Sequence, residues 1–90
     1  MDTQELEEKI RDYIRTTYKA EFMGLLSVVK LDVGYKLILG IPSYLAQTSI
    51  ATDLEDQDEF LNYIYEELRT RNYMRLYIYK VTRNENSKEE

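Results

Sequence analysis

Hydrophobic positions near the N-terminus recur at steps of three and four residues. A polar residue, Asp2 or Thr3, precedes them and is suited to cap a helix at its start. The apolar stripe consists of Leu6, Ile10, Tyr13, Ile14 and Thr17. This spacing predicts an amphipathic helix of about four turns, with its charged side chains facing solvent.

The next segment changes to a period of two, which is typical of strands. An aliphatic run from about Phe22 to Leu31 is followed by Asp32-Val33-Gly34, a tight turn with glycine in the left-handed position. Tyr35, Leu37, Leu39 and Ile41 then alternate with other residues. We predict a β-hairpin. Ile38 interrupts the alternation, so the outer side of the hairpin is less polar than a freely solvated sheet.

Pro42 ends the second strand because proline cannot donate a hydrogen bond to a neighbouring strand. The segment from Ser43 to Thr52 mixes polar and small residues and allows two interpretations. Either Gln47 to Ala51 form a short third strand, or the whole segment is a loop of about ten residues.

A second helical pattern follows, with Asp53 and Asp56 as alternative N-caps. We predict that this helix continues to about Thr70 and that Asn72 stops it in a left-handed conformation. Acidic residues are concentrated in its first turn and arginines lie at its end, and both arrangements interact favourably with the helix dipole. Its apolar face is formed by Phe60, Leu61, Ile64, Tyr65 and Leu68.

The C-terminal part of the chain predicts a last strand and a tail. Met74 to Thr82 alternates, with Met74, Leu76 and Ile78 on one face and Arg75, Tyr77, Tyr79 and Val81 on the other. Residues 83–90 contain no apolar side chain and are expected to be disordered. We therefore expect one globular domain over residues 1–82.

These elements predict an α+β fold in the order α-β-β-(β)-α-β. The expected architecture is a small two-layer sandwich, in which an antiparallel sheet of three or four strands carries both helices on one face. The order is similar to that of RNA-binding K-homology modules in topology alone. The Gly-x-x-Gly loop typical of that family is absent from the sequence, and no residue is assigned from the resemblance.

Composition narrows the classes of function. The 90 residues contain no cysteine and no histidine, which removes thiolate chemistry and the usual general base. No nucleotide-binding or hydrolase motif occurs, so we expect no enzymatic activity and no cofactor. The net charge of −5 disfavours nucleic acid and anionic membranes. A soluble, cytoplasmic protein is expected.

Two clusters are candidate sites. The acidic cluster Asp53, Glu55, Asp56, Asp58 and Glu59 lacks the spacing of a calcium loop, and we interpret it as the start of a helix. Near the C-terminus, arginines interleave with tyrosines in a pattern typical of partner surfaces and of single-stranded nucleic-acid platforms. Together with a tyrosine of the hairpin, the candidate partner-binding residues are Arg69, Arg71, Arg75, Tyr35, Tyr77 and Tyr79.

Tyrosine is unusually frequent, with nine residues against two phenylalanines. An apolar ring with a polar tip suits half-exposed sheet faces and interfaces. We therefore expect a non-catalytic protein-interaction module that binds a protein or a second copy of itself through a tyrosine-bearing sheet face or a strand edge. The alternative is an accessory nucleic-acid-binding protein that uses the arginine and tyrosine cluster of residues 69–79.

Overall fold

The computed structural model of the protein describes residues 1–19, 22, 24–41 and 46–71. These residues form two helices and three strands in the order α-β-β-β-α. The elements are α1 (Thr3–Tyr18), β1 (Leu25–Lys30), β2 (Tyr35–Ile41), β3 (Ala46–Ala51) and α2 (Gln57–Thr70). The predicted α+β class is confirmed, and the open question about residues 43–52 is answered in favour of a third strand.

The three strands form an antiparallel sheet in the order β1-β2-β3. In such a sheet, residues directly opposite each other point to the same face. Val28 lies opposite Leu37, and Leu37 lies opposite Ile50, so the buried positions of all three strands share one face. We call this the inner face.

Both helices pack on the inner face and enclose one core. The core contains Leu6, Ile10 and Ile14 from α1 and Phe60, Leu61, Ile64 and Leu68 from α2. The strands and the segment before β1 contribute Phe22, Leu26, Val28, Tyr35, Leu37, Leu39 and Ile50. Burial of these side chains is the main favourable contribution to folding, and it fixes which side of the sheet the helices cover.

Helix α1 begins as predicted, with one difference at its far end. Asp2 caps it, its carboxylate accepting a hydrogen bond from the Glu5 amide at 2.9 Å. Thr17 is exposed, and Tyr18 takes its place in the packed stripe. The reason is a contact with α2. Tyr18 lies four residues after the buried Ile14, and its hydroxyl donates a hydrogen bond to the backbone oxygen of Leu68 at 3.1 Å.

The turn between β1 and β2 has the predicted glycine conformation, with φ of +89° at Gly34. The Leu31 amide donates to the Gly34 oxygen at 3.0 Å and closes the hairpin. The Gly34 amide donates to a Glu55 carboxylate oxygen at 2.8 Å. This bond ties the hairpin turn to the segment that leads into α2.

Helix α2 starts at the second of the two predicted caps. The Asp56 carboxylate accepts a hydrogen bond from the Glu59 amide at 3.0 Å, which supports the interpretation of the acidic cluster as a helix start. Arg71, with an extended backbone, ends the helix. The predicted stop at Asn72, the strand Met74–Thr82 and the tail 83–90 lie outside the described residues.

Neither helix of the described residues is long and apolar enough to cross a bilayer.

Gly34→Ala should destabilise the protein strongly. A Cβ at this position would lie 2.2 Å from the Thr52 oxygen, and a left-handed backbone costs an alanine about 1–2 kcal/mol even without that contact. We expect a loss of at least about 2 kcal/mol in the free energy of unfolding by urea. Val33→Ala, in the same turn at an exposed position, is the control and should change little. Equal stability of Gly34→Ala and the wild type would contradict the described turn.

Candidate interaction surface on the sheet

The side of the sheet opposite the helices, which we call the outer face, is built from nine positions. The strand register places them in three rows across β1, β2 and β3. The rows are Leu25, Gly40 and Gln47, then Ser27, Ile38 and Ser49, then Val29, Lys36 and Ala51. Eight of the nine positions are therefore uncharged, and four of them are aliphatic: Leu25, Val29, Ile38 and Ala51.

Charge is scarce on the outer face. Lys36 is the one ionisable side chain among its nine positions, whereas 32% of the whole chain is charged. Leu25 and Val29 expose 46% and 37% of their surface. The solvated side of an antiparallel sheet is ordinarily polar, so this composition is unusual for a face that meets only water.

The two outermost strands of the described sheet differ in whether side chains form hydrogen bonds with their outward-facing backbone groups. On β1, the backbone amide of Val28 points away from β2 and donates to a Glu7 carboxylate oxygen at 2.9 Å. Just before β1, the Arg11 guanidinium donates to the Phe22 backbone oxygen at 3.3 Å. Side chains of α1 thus form hydrogen bonds with backbone groups that an added strand would otherwise use. Sheet edges are commonly protected in this way.

The edge of β3 lacks such protection in the described part of the chain. The Thr52 amide donates to the Tyr35 oxygen at 2.9 Å, so residues of even number in β3 turn their backbone groups toward β2. The amides and carbonyls of Gln47, Ser49 and Ala51 consequently point outward. No described strand lies beyond them. The strand Ala46–Ala51 contains no charged residue and no proline.

Tyr35 does not lie on the outer face, contrary to the expected tyrosine patch. It is only 8% exposed, its ring lies 5.3 Å from that of Phe60, and its hydroxyl accepts a hydrogen bond from Gln57 at 3.0 Å. The physical reason is its register: Tyr35 shares the parity of the buried Leu37 and Leu39.

Three further tyrosines, Tyr13, Tyr18 and Tyr65, pack where the two helices contact each other. The rings of Tyr13 and Tyr65 stack with centroids 4.4 Å apart, and the Tyr13 hydroxyl donates to the Tyr65 backbone oxygen at 3.3 Å. Burial raises the pKa of Tyr18 and the pKa of Tyr65 above their ordinary values. None of the nine outer-face positions is a tyrosine, so the aromatic side chains described here mainly serve packing.

The two described arginines of the candidate cluster are engaged in ion pairs at the end of α2. Arg69 contacts Glu66 at 2.7 Å, and Arg71 contacts Glu67 at 3.2 Å. The hydrogen bond to Glu66 raises the pKa of Arg69 further. Acidic neighbours thus offset both positive charges. Arg75, Tyr77 and Tyr79 lie outside the described residues, so their grouping with Arg69 stays a prediction.

Glu55 also has a structural role rather than an open ligand position. Its carboxylate accepts the Gly34 amide and lies 3.4 Å from the Lys30 ammonium. The backbone hydrogen bond, assisted by the Lys30 charge, lowers the pKa of Glu55 below its ordinary value. The carboxylate therefore acts as an anchor for the hairpin turn.

The sequence interpretation missed the edge of β3. Its signal was the alternation of Gln47, Ser49 and Ala51 with Thr48 and Ile50, but polar side chains occur on both sides of that pattern. Without a polarity contrast, alternation cannot distinguish a strand from a loop.

No protein-family model, curated protein or solved structure matches the chain.

Removing the Glu7 carboxylate should expose the edge of β1. In Glu7→Ala the Val28 amide loses its acceptor, and a hydrogen bond to a charged, partly exposed group is worth on the order of 1.5 kcal/mol. We expect hydrogen exchange at the Val28 amide, measured by NMR, to accelerate about tenfold. Glu7→Gln retains an acceptor oxygen and should keep most of the protection. Unchanged exchange in Glu7→Ala would show that this bond does not protect the edge.

Proposed function

We propose that the protein is a non-catalytic interaction module that binds another protein on the side of its sheet opposite the two helices. The binding surface consists of the outer face and the adjoining edge of β3. The observation that carries this proposal is the composition of the outer face, on which one of nine positions is ionisable. A weakly charged, partly aliphatic surface gains more from contact with a partner than from contact with water.

The arrangement of the outer face is suited to protein contact. Leu25 and Val29 stand on β1 beside the central Ile38 of β2, with small side chains on β3. Ile38 lies at the centre of the face between Ser27 and Ser49, and protein interfaces likewise combine apolar and polar groups. Burying apolar area there contributes about 25 cal/mol per Å² before the costs of association are subtracted.

A non-catalytic function is supported by the titratable groups. Shifted pKa values often mark catalytic groups. Four shifted groups have a structural cause: burial between the helices for Tyr18 and Tyr65, the Gly34 amide for Glu55, and Glu66 for Arg69. Without histidine or cysteine in the sequence, a reaction would depend on such groups.

The nucleic-acid alternative receives less support. Phosphate binding depends on the release of counterions by unpaired lysine and arginine side chains. Arg69 and Arg71 contact carboxylates, and the chain carries a net charge of −5. Binding to a labelled single strand at about 50 mM salt would favour this alternative.

Val29→Glu should abolish binding of a protein partner to the outer face. A photoreactive amino acid at Val29 would first capture partners in cells, and each captured protein would then be purified and titrated against the full chain. Placing a carboxylate in an apolar contact should lower the affinity for the purified partner at least about tenfold, as measured by calorimetry.

The matched control for Val29→Glu is Thr16→Glu, which adds the same charge at an exposed position of α1 and should bind like the wild type. Circular dichroism would verify that both variants are folded. Equal affinities of the wild type and Val29→Glu, for every partner captured at Val29, would contradict the proposed binding surface.

A further inference from the structure

Within the described part of the chain, the edge of β3 differs from the edge of β1 in having no charged residue and no side chain hydrogen-bonded to its outward backbone groups. The Glu7 carboxylate accepts a hydrogen bond from the Val28 amide, the central outward amide of β1, and Lys30 is exposed at the end of that strand. In β3, by contrast, all six residues are uncharged and no described strand lies beyond it. Unprotected strand edges readily pair with other strands, including the same strand of a second molecule.

We propose that β3 is a self-association site, at which a second copy of the chain adds its own β3 in antiparallel orientation. This inference rests on the proposed function and names one partner for the edge. In the pairing, Ser49 lies opposite the partner's Ser49 on a two-fold axis. The described strands of the two copies then join into one six-stranded sheet, with the described helices of both copies on the same side.

Backbone geometry selects this register. The outward hydrogen-bonding groups belong to Gln47, Ser49 and Ala51, which are spaced symmetrically about Ser49. With Ser49 on the axis, Gln47 meets the partner's Ala51, and all three residues form hydrogen-bonded pairs in both copies. A shift of the axis by one residue in either direction leaves one of the three without a partner within the strand.

Electrostatics favours a second copy at this place. Two chains with a net charge of −5 repel each other, and contact is least unfavourable where neither presents an ionised group. The strand Ala46–Ala51 is such a segment, and the register centred on Ser49 leaves Asp53 beyond the paired residues. Side chains at the axis are small serines, so two strands approach without a steric conflict.

The size of the contact sets its strength. Stable interfaces bury about 800 Å² on each partner, and one six-residue strand edge offers less. We therefore expect a weak, reversible dimer. Sedimentation equilibrium of the full chain should show monomer at about 10 µM and a growing dimer fraction toward about 1 mM.

The register is tested with single thiols, because the natural chain has no cysteine. In Ser49→Cys, the two thiols of a dimer face each other across a pair with Cα atoms about 5.5 Å apart, inside the range of disulfides. In Gln47→Cys, the thiols of the two copies lie about 14 Å apart, four residues along the strand. Both positions are exposed, so both variants should fold.

Under mild oxidation, Ser49→Cys should form disulfide-linked dimers at least about tenfold faster than Gln47→Cys. Equal rates, or faster linkage of Gln47→Cys, would overturn the register. Ser49→Glu places two carboxylates opposite each other and should shift the monomer–dimer equilibrium at least about tenfold toward monomer. Thr16→Glu on α1, the charge-matched control, should leave it unchanged.

A wild-type chain that stays monomeric at about 1 mM would overturn self-association through β3. That result would leave the outer-face proposal intact, because Val29→Glu tests it with a different protein. Conversely, a β3 dimer combined with unaltered partner binding by Val29→Glu would retain the self-association site and remove the outer face as the partner surface.

Discussion

The packing of both helices against the same face of the sheet is the constraint on which the other features depend. Alternate residues of each strand, among them Val28, Leu37 and Ile50, are buried beneath α1 and α2. The residues between them must then point away from the helices, whatever their chemistry. Packing beneath the two helices therefore does not account for the low charge of the outer face.

The same one-sided packing makes the two edges unequal. Helix α1 lies against β1, and this placement brings the Glu7 carboxylate to the Val28 amide and Arg11 to the Phe22 oxygen. Hydrogen bonds between side chains of α1 and the backbone at Phe22 and Val28 stabilise the fold and also protect an edge. The edge of β3 receives no equivalent contact from the described residues of α2. A single structural asymmetry therefore underlies both proposals, since the described helices cover neither the outer face nor the edge of β3.

Most of the fold was predictable from local patterns, and the exceptions have physical reasons. Steps of three and four residues identified both helices, and the glycine turn identified the hairpin, because these signals are local. The hydrogen bond from Gly34 to Glu55 joins residues 21 positions apart and has no local signature. The third strand stayed open because Thr48 and Ser49 differ too little in polarity to mark two faces.

The candidate site was only partly predictable. Ile38 interrupts the alternation of β2, and it lies at the centre of an outer face on which Lys36 is the one ionisable side chain. Among the described tyrosines, frequency did not indicate position: the alternation that buries Leu37 and Leu39 also buries Tyr35, and helix spacing brings Tyr13 against Tyr65. Composition gives the number of aromatic side chains, whereas the position of each residue within its strand or helix determines the face to which it points.

The most direct test of the one-sided arrangement is the access of solvent to individual methyl groups. NMR relaxation of the full chain by a soluble paramagnetic agent, at a concentration low enough to keep the chain monomeric, compares neighbours on β1. The account predicts strong relaxation of the Val29 and Leu25 methyls and weak relaxation of those of Val28 and Leu26. Equal protection of both pairs would mean that the outer face is covered within the monomer and would contradict the account.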